Sequence, residues 1–168
     1  LKLYAIGPNR IVMPLFSLKL LEDLSSAYAW LQVGGYSLET ISEYTAIMVY
    51  GDRHVRLPPP LKALGVPADI SSEPEASELA LGHFVTARAF ILAHELAHLM
   101  YRHRSATGSV RNEMEADRFA AKFMGREGIT PLGILVFFMA DAHWSRSSES
   151  QPGSHPLTGR RVIALAVH

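Results

Sequence analysis

The sequence predicts an α+β fold, mainly helical, with a small sheet at its N-terminal side, and three observations predict it. Two short apolar runs, residues 2–6 (KLYAI) and 10–14 (RIVMP), flank a Gly7-Pro8-Asn9 turn signal and read as paired strands. Beyond them, most segments repeat their apolar residues at intervals of three and four, the period of a helix packed on one face. The 168 residues show no internal repeat and suffice for one domain with its own core.

The elements follow in order. From Leu15 to Leu31 the stripe Leu18, Leu21, Leu24, Tyr28 and Leu31 predicts a first helix, ended by Gly34-Gly35. A second hairpin is expected from Ala46–Tyr50 and His54–Leu57 around Gly51-Asp52. Pro58-Pro59-Pro60 stiffens its exit because each ring fixes its own φ. Residues 65–76 read as loop. A long helix is expected from Ser77 to His103, with Leu81, Phe84, Ala87, Phe90 and Ile91 toward the core. After a polar loop at 104–109, Ser109 caps a helix running from Val110 to Met124. Thr130-Pro131 opens a third core helix through Trp144, since proline suits the first turn. Residues 145–154 are the most polar stretch, and a last short helix begins at His155-Pro156. By function the chain divides into a strand and helix prelude (1–76), the two helices of the site (77–125) and the C-terminal helices with a lid loop (126–168), all within a single domain.

Composition narrows the function. Sixteen basic and sixteen acidic residues leave no net charge, and no basic stripe appears, so a nucleic-acid partner is not expected. An apolar fraction of 48% argues against disorder. No stretch reads as the roughly 18 apolar residues of a membrane span, and the best run, Ile134 to Ala140, is far shorter. The chain begins at Leu1 without a methionine, so an anchor upstream stays open, and a cytoplasmic location is the favoured reading. With no cysteine, disulfides, thiolate ligands and a cysteine nucleophile fall away together, leaving eight histidines as the source of metal ligands.

Those histidines include His94-Glu95-Leu96-Ala97-His98, an HExxH string within the long helix. Residues i and i+4 lie one turn apart on one face, so two imidazoles converge there on one ion at bond lengths of roughly 2.0–2.1 Å. Glu95 lies about 100° round the helix, beside the ion, placed to take a proton from the water the ion acidifies. A third ligand is required. The HExxHxxGxxH pattern fails, because Tyr101 and Arg104 stand where its glycine and histidine belong. His103, five residues after His98, is rotated off the ligand face and reads as a helix-end residue interacting with the dipole. Glu113, 15 residues beyond His98 on the next helix, fits. Asp117 shares its face at i+4 and is placed to accept the free imidazole N–H of a ligand histidine, while Ala116 permits close helix approach. Glu115 points the other way, toward solvent.

HELAH, then EMEAD, then Ser154-His155-Pro156 with Arg161 resembles the gluzincin metallopeptidases of the HtpX-like and CAAX prenyl endopeptidase family, whose compact minigluzincins are nearest in size. The resemblance covers residues 77–165. It implies a zincin-like fold, one Zn2+ per chain on His94, His98 and Glu113, Glu95 as base, and Asp117 as the partner behind a ligand. It also implies that His155 and Arg161 lie near the substrate and stabilise the tetrahedral intermediate. A second resemblance, to ImmA/IrrE-type regulatory peptidases, rests on the same HExxH with Phe119-Ala120-Ala121. Those typically carry Asn where Asp117 stands. Peptide or protein is thus the expected substrate. The edge strand Arg10–Pro14 is a candidate for holding it by β-augmentation, and the Ser-rich 145–154 stretch for closing over it with His155 at the hinge. The rival readings are a catalytically silent zinc domain that binds a protein partner, and a helical domain without metal.

Overall fold

The computed structural model describes residues 4–6, 10–50, 52, 54–67, 69–103, 110–130, 133, 134, 136, 138 and 161. The chain opens with a hairpin. Strands β1 (Tyr4–Ile6) and β2 (Arg10–Val12) run antiparallel with Tyr4 opposite Val12, Ala5 opposite Ile11 and Ile6 opposite Arg10. Five helices follow among the described residues: α1 (Leu15–Val33), α2 (Glu39–Tyr50), α3 (Pro60–Ala63), α4 (Pro74–Met100) and α5 (Val110–Arg126), with a short 3-10 turn at Ile70–Ser72.

The first helix forms as its apolar stripe predicts. Leu20, Leu21, Leu24, Ala27 and Leu31 are buried, while Leu15 and Phe16 in the first turn and Val33 at the end are exposed. Helix α4 is the centre of the fold, packing along both α1 and α5 and touching the hairpin. Ala87, Phe90, Ile91 and Ala93 from α4 join Leu21 and Leu24 of α1, Ile41 of α2, and Ala120 and Met124 of α5 in one core. Residues 134, 136 and 138 are helical, and Val136 and Phe138 close that core. Their approach is close. The Gly133 amide donates to Thr86 Oγ1 at 2.8 Å, and a Cβ at Gly133 would overlap the His83 carbonyl and the Ala87 amide.

Four expectations need correction. Residues 46–50 belong to α2, and no strand forms among the described residues at 54–57. Ile41, Tyr44 and Thr45 are buried at helical spacing, Thr45 Oγ1 bonds back to the Ile41 carbonyl, and Ser37 Oγ accepts from the Glu39 amide at the helix start. Burial of that face outweighs the β-branched composition of the last turn. A turn does follow, since Asp52 accepts from the amides of His54 and Val55, but it comes after a helix. Leu81 is 62% exposed and not part of the core. Residues 65–76 are not all loop, because the 3-10 turn and the start of α4 at Pro74 fall within them. Finally, α4 is by length and composition apolar enough to cross a membrane. Its contacts with α1 and α5 are those of a central core helix.

The 104–109 loop with its Ser109 cap, most of the helix expected over 130–144, the 145–154 stretch, His155 and all of the last helix except Arg161 lie outside the described residues.

Candidate metal centre

Two helices build the site. His94, Glu95 and His98 lie on α4, and Glu113 and Asp117 lie on the first two turns of α5; all five are buried. The neighbouring small residues Ala93, Ala97 and Ala116 are buried too, which lets the two backbones come close. His94 Nε2 and His98 Nε2 are 2.9 Å apart. Glu113 closes the triangle, with Oε2 at 3.3 Å from His94 Nε2 and Oε1 at 3.4 Å from His98 Nε2. Among the described residues these three form a group able to hold a metal ion, their ligand atoms all within 4.8 Å of one another.

The hydrogen-bond pattern shows why this triangle calls for a cation. His94 Nδ1 donates to Asp117 Oδ1 at 2.9 Å, so its Nε2 lone pair faces inward. His98 Nδ1 lies 2.9 Å from His103 Nδ1, and His103 Nε2 lies 3.3 Å from Glu115 Oε2. A carboxylate only accepts, so a neutral His103 donates from Nε2 and accepts at Nδ1, and His98 then donates from its own Nδ1. His98 Nε2 then also turns a lone pair inward. The two lone pairs and the carboxylate thus face one another across 2.9 to 3.4 Å, an arrangement that a cation between them would stabilise in a buried site. A tetrahedral ion at bond lengths of 2.0–2.1 Å would separate its ligand atoms by about 3.3 Å, close to the three edges seen. The donor set of two imidazoles and one carboxylate is also one that zinc favours. The residues fit a zinc ion.

Without the ion, a proton fills the same need. Burial alone would lower the His94 pKa, but the hydrogen bonds to Asp117 and Glu113, with the charges of both, outweigh burial and push it up to about 9. For Asp117, burial would raise the pKa, yet the hydrogen bonds from Arg161 and His94 outweigh it and hold the carboxyl below its ordinary value.

Arg161 supplies the remaining charge. Its Nε and Nη2 grip Asp117 at 2.7 and 2.9 Å, and Nη1 lies 3.4 Å from Glu113 Oε2. The side chain is wholly buried and lies over the Phe138 ring, 5.8 Å from its centroid. Arg161 is therefore seated against the two carboxylates of α5. His155 lies outside the described residues. His103 also departs from its expected place: it is folded back onto His98, and Glu115, half exposed, reaches it. Reasoning from the sequence missed both contacts. The stop of α4 after Met100 puts residue 103 back over residue 98, and with Arg102 where a glycine would mark that stop the sequence carries no local signal for it.

The family described as Peptidase U49 matches residues 44–167, a span that contains α4, α5 and Arg161. No match was found among curated proteins or among solved structures. With a match over well more than half of its length, carrying all of the clustered residues, the chain belongs to the Peptidase U49 family.

Proposed function

We propose that this peptidase is a zinc-dependent endopeptidase, with one zinc ion per chain held by His94, His98 and Glu113. The observation that carries the reading is the inward convergence of two Nε2 lone pairs and a carboxylate onto one point, each histidine locked from behind by its Nδ1. When bound there, zinc would polarise the scissile carbonyl and acidify the attacking water.

The chain's own residues do the rest. Glu95, buried on α4 between the two histidines in sequence, takes the proton from the attacking water and hands it to the leaving amine. Asp117 keeps His94 in the tautomer that presents Nε2, and Arg161 keeps Asp117 ionised and oriented. A buried glutamate at the base position supports an active centre over a silent zinc domain, which has no use for one. The order HExxH, ExxxD and a late arginine supports a zincin-like single domain akin to the HtpX-like and CAAX prenyl endopeptidases. The ImmA/IrrE-like reading is less favoured, because Asp117 forms an ion pair with Arg161 that an asparagine could not. Peptide or protein is the substrate, and the open edge of β2, on the hairpin that touches α4, is a place to align it.

The test joins metal analysis to proteolysis. Purified protein is expected to carry one zinc per chain and to cut unfolded casein or a peptide pool until a chelator is added. Glu95→Gln is expected to keep the zinc and lose roughly 10²–10⁴-fold in rate, the usual worth of a general base. Full activity in Glu95→Gln with zinc bound would remove Glu95 from its role. Absence of any bound metal in the active wild type would remove the metal mechanism.

A further inference from the structure

The end of α4 differs from the ends of its neighbours in the residue that makes the turn and in the pair that the turn brings together. Four helices stop in the same turn, where the sixth residue donates its amide back to the carbonyl of the first: Tyr36 to Leu31, Val66 to Leu61, His103 to His98, and Ile129 to Met124. The turn needs a left-handed residue just before the donor. Gly35, Gly65 and Gly128 supply it at φ of 67°, 69° and 67°, whereas α4 uses Arg102 at φ 54°. Among the described residues Arg102 is the only non-glycine with positive φ. The turn brings the side chains of its first and sixth residues together. In the other three that pair is apolar or aromatic. Here it is His98 and His103, with ring centroids 5.0 Å apart and the two Nδ1 atoms at 2.9 Å.

We propose that His103 is a positioning residue for His98, with Glu115 behind it. The inference rests on the reading of His98 as a ligand. With His103 neutral the donors run one way along these contacts: His98 Nδ1–H to His103 Nδ1, then His103 Nε2–H to the Glu115 carboxylate. It fixes the His98 tautomer, holds the ring plane against rotation, and lends the ligand some of the negative charge of Glu115. Asp117 and Arg161 do the same for His94. Tyr101 packs beside His103, ring centroids 5.7 Å apart, and steadies it. The His103 side chain is only 9% exposed, while Glu115 is 51% exposed, so the relay begins under cover and ends at the surface.

Zinc titration of the full chain, competed against a chromophoric chelator, tests this with a readout independent of proteolysis. His103→Phe keeps the ring packing but has no acceptor, and is expected to weaken zinc binding on the order of 10–100-fold, as loss of an outer partner does. His103→Asn, whose carboxamide oxygen accepts near the place of Nδ1, is expected to recover most of that loss. Glu115→Gln is expected to cost less than His103→Phe. With Co2+ in place of zinc, the visible bands are expected to shift in His103→Phe and return in His103→Asn. Thermal unfolding of the metal-free variants separates folding from binding, since the backbone turn does not use the imidazole. Wild-type zinc affinity and an unchanged cobalt spectrum in His103→Phe would overturn the proposal, whatever the melting temperature. A wild-type chain that takes up no zinc would overturn the metal centre itself, and the proposal with it.

Discussion

His94 and His98 sit one turn apart on the same helix, yet the protein holds them by unlike means. Behind His94 the chain of partners is closed, dry and ionic: Asp117 accepts from Nδ1, and a wholly buried Arg161 grips Asp117 with two donors. Behind His98 the chain is open, running through His103 to a glutamate half in solvent. The inner histidine is therefore tied to the stability of the whole fold, because its partners are charges with no water to fall back on. The outer one is tied to a surface group that water and salt screen. One ligand is fixed by the core and the other is adjustable from the surface.

The sharpest way to break that contrast is Arg161→Met, which keeps an apolar stem near Phe138 and deletes the charge. It leaves the Asp117 and Glu113 carboxylates buried and short of a partner, and removing one member of such a group typically costs about 3–5 kcal/mol. Urea unfolding of the metal-free protein measures it, as a lower midpoint at unchanged slope. A loss under about 1 kcal/mol would mean that water already reaches the inner carboxylates, against the burial described.

A second effect follows from the proton at His94. Its folded-state pKa is raised, to about 9, above the ordinary value of 6.5. The stability it contributes to the metal-free protein is thus fully present below pH 6.5 and is lost as pH rises through 9. The shift sets an upper limit of about 3 kcal/mol. Asp117 works in the opposite sense: its pKa is lowered from 3.8, so its contribution is present above that value and is lost as pH falls through the depressed one. Melting curves of the chelator-treated protein at pH 6.5 and at pH 9 should therefore differ, with the acidic sample more stable. With zinc bound the difference should vanish, since the ion replaces the proton, and zinc uptake at pH 7 should release protons into a weak buffer. A metal-free protein equally stable at both values would show that no proton is held in the triangle.

How far these features were legible in the sequence depended on how local they are. The HExxH pair and the Glu113/Asp117 pair follow from the helical period alone, and a short connection makes the two helices neighbours. The first hairpin and α1 were legible for the same reason. The misread segment at 46–57 failed because its last turn, Ala46 to Tyr50, is rich in β-formers and ends at a true turn. The deciding signal lay earlier, in Ile41, Tyr44 and Thr45, whose burial belongs to the tertiary structure. Arg161 was named from a resemblance, but its actual partner lies 44 residues away in sequence, and no local pattern reports such a contact. His103 was misplaced because its position depends on the residue at which α4 stops. That stop uses an arginine where glycine is the ordinary signal.

That arginine allows the finest test of the comparison. A non-glycine residue in the left-handed region costs about 1–2 kcal/mol, and glycine gives back roughly 0.5–1 kcal/mol of that through the extra freedom of the unfolded chain. Arg102→Gly is therefore expected to stabilise the metal-free protein slightly, by no more than about 1 kcal/mol, read as a small rise in melting temperature. Zinc affinity should stay at the wild-type value, because the turn that delivers His103 to His98 is the one glycine makes at the ends of α1, α3 and α5. If Arg102→Gly instead loosened zinc as much as His103→Phe does, the stiffness of the arginine turn, and not the imidazole contact, would be what holds the outer ligand. The open relay behind His98 would then be a consequence of the turn, and the contrast with His94 would reduce to one of burial.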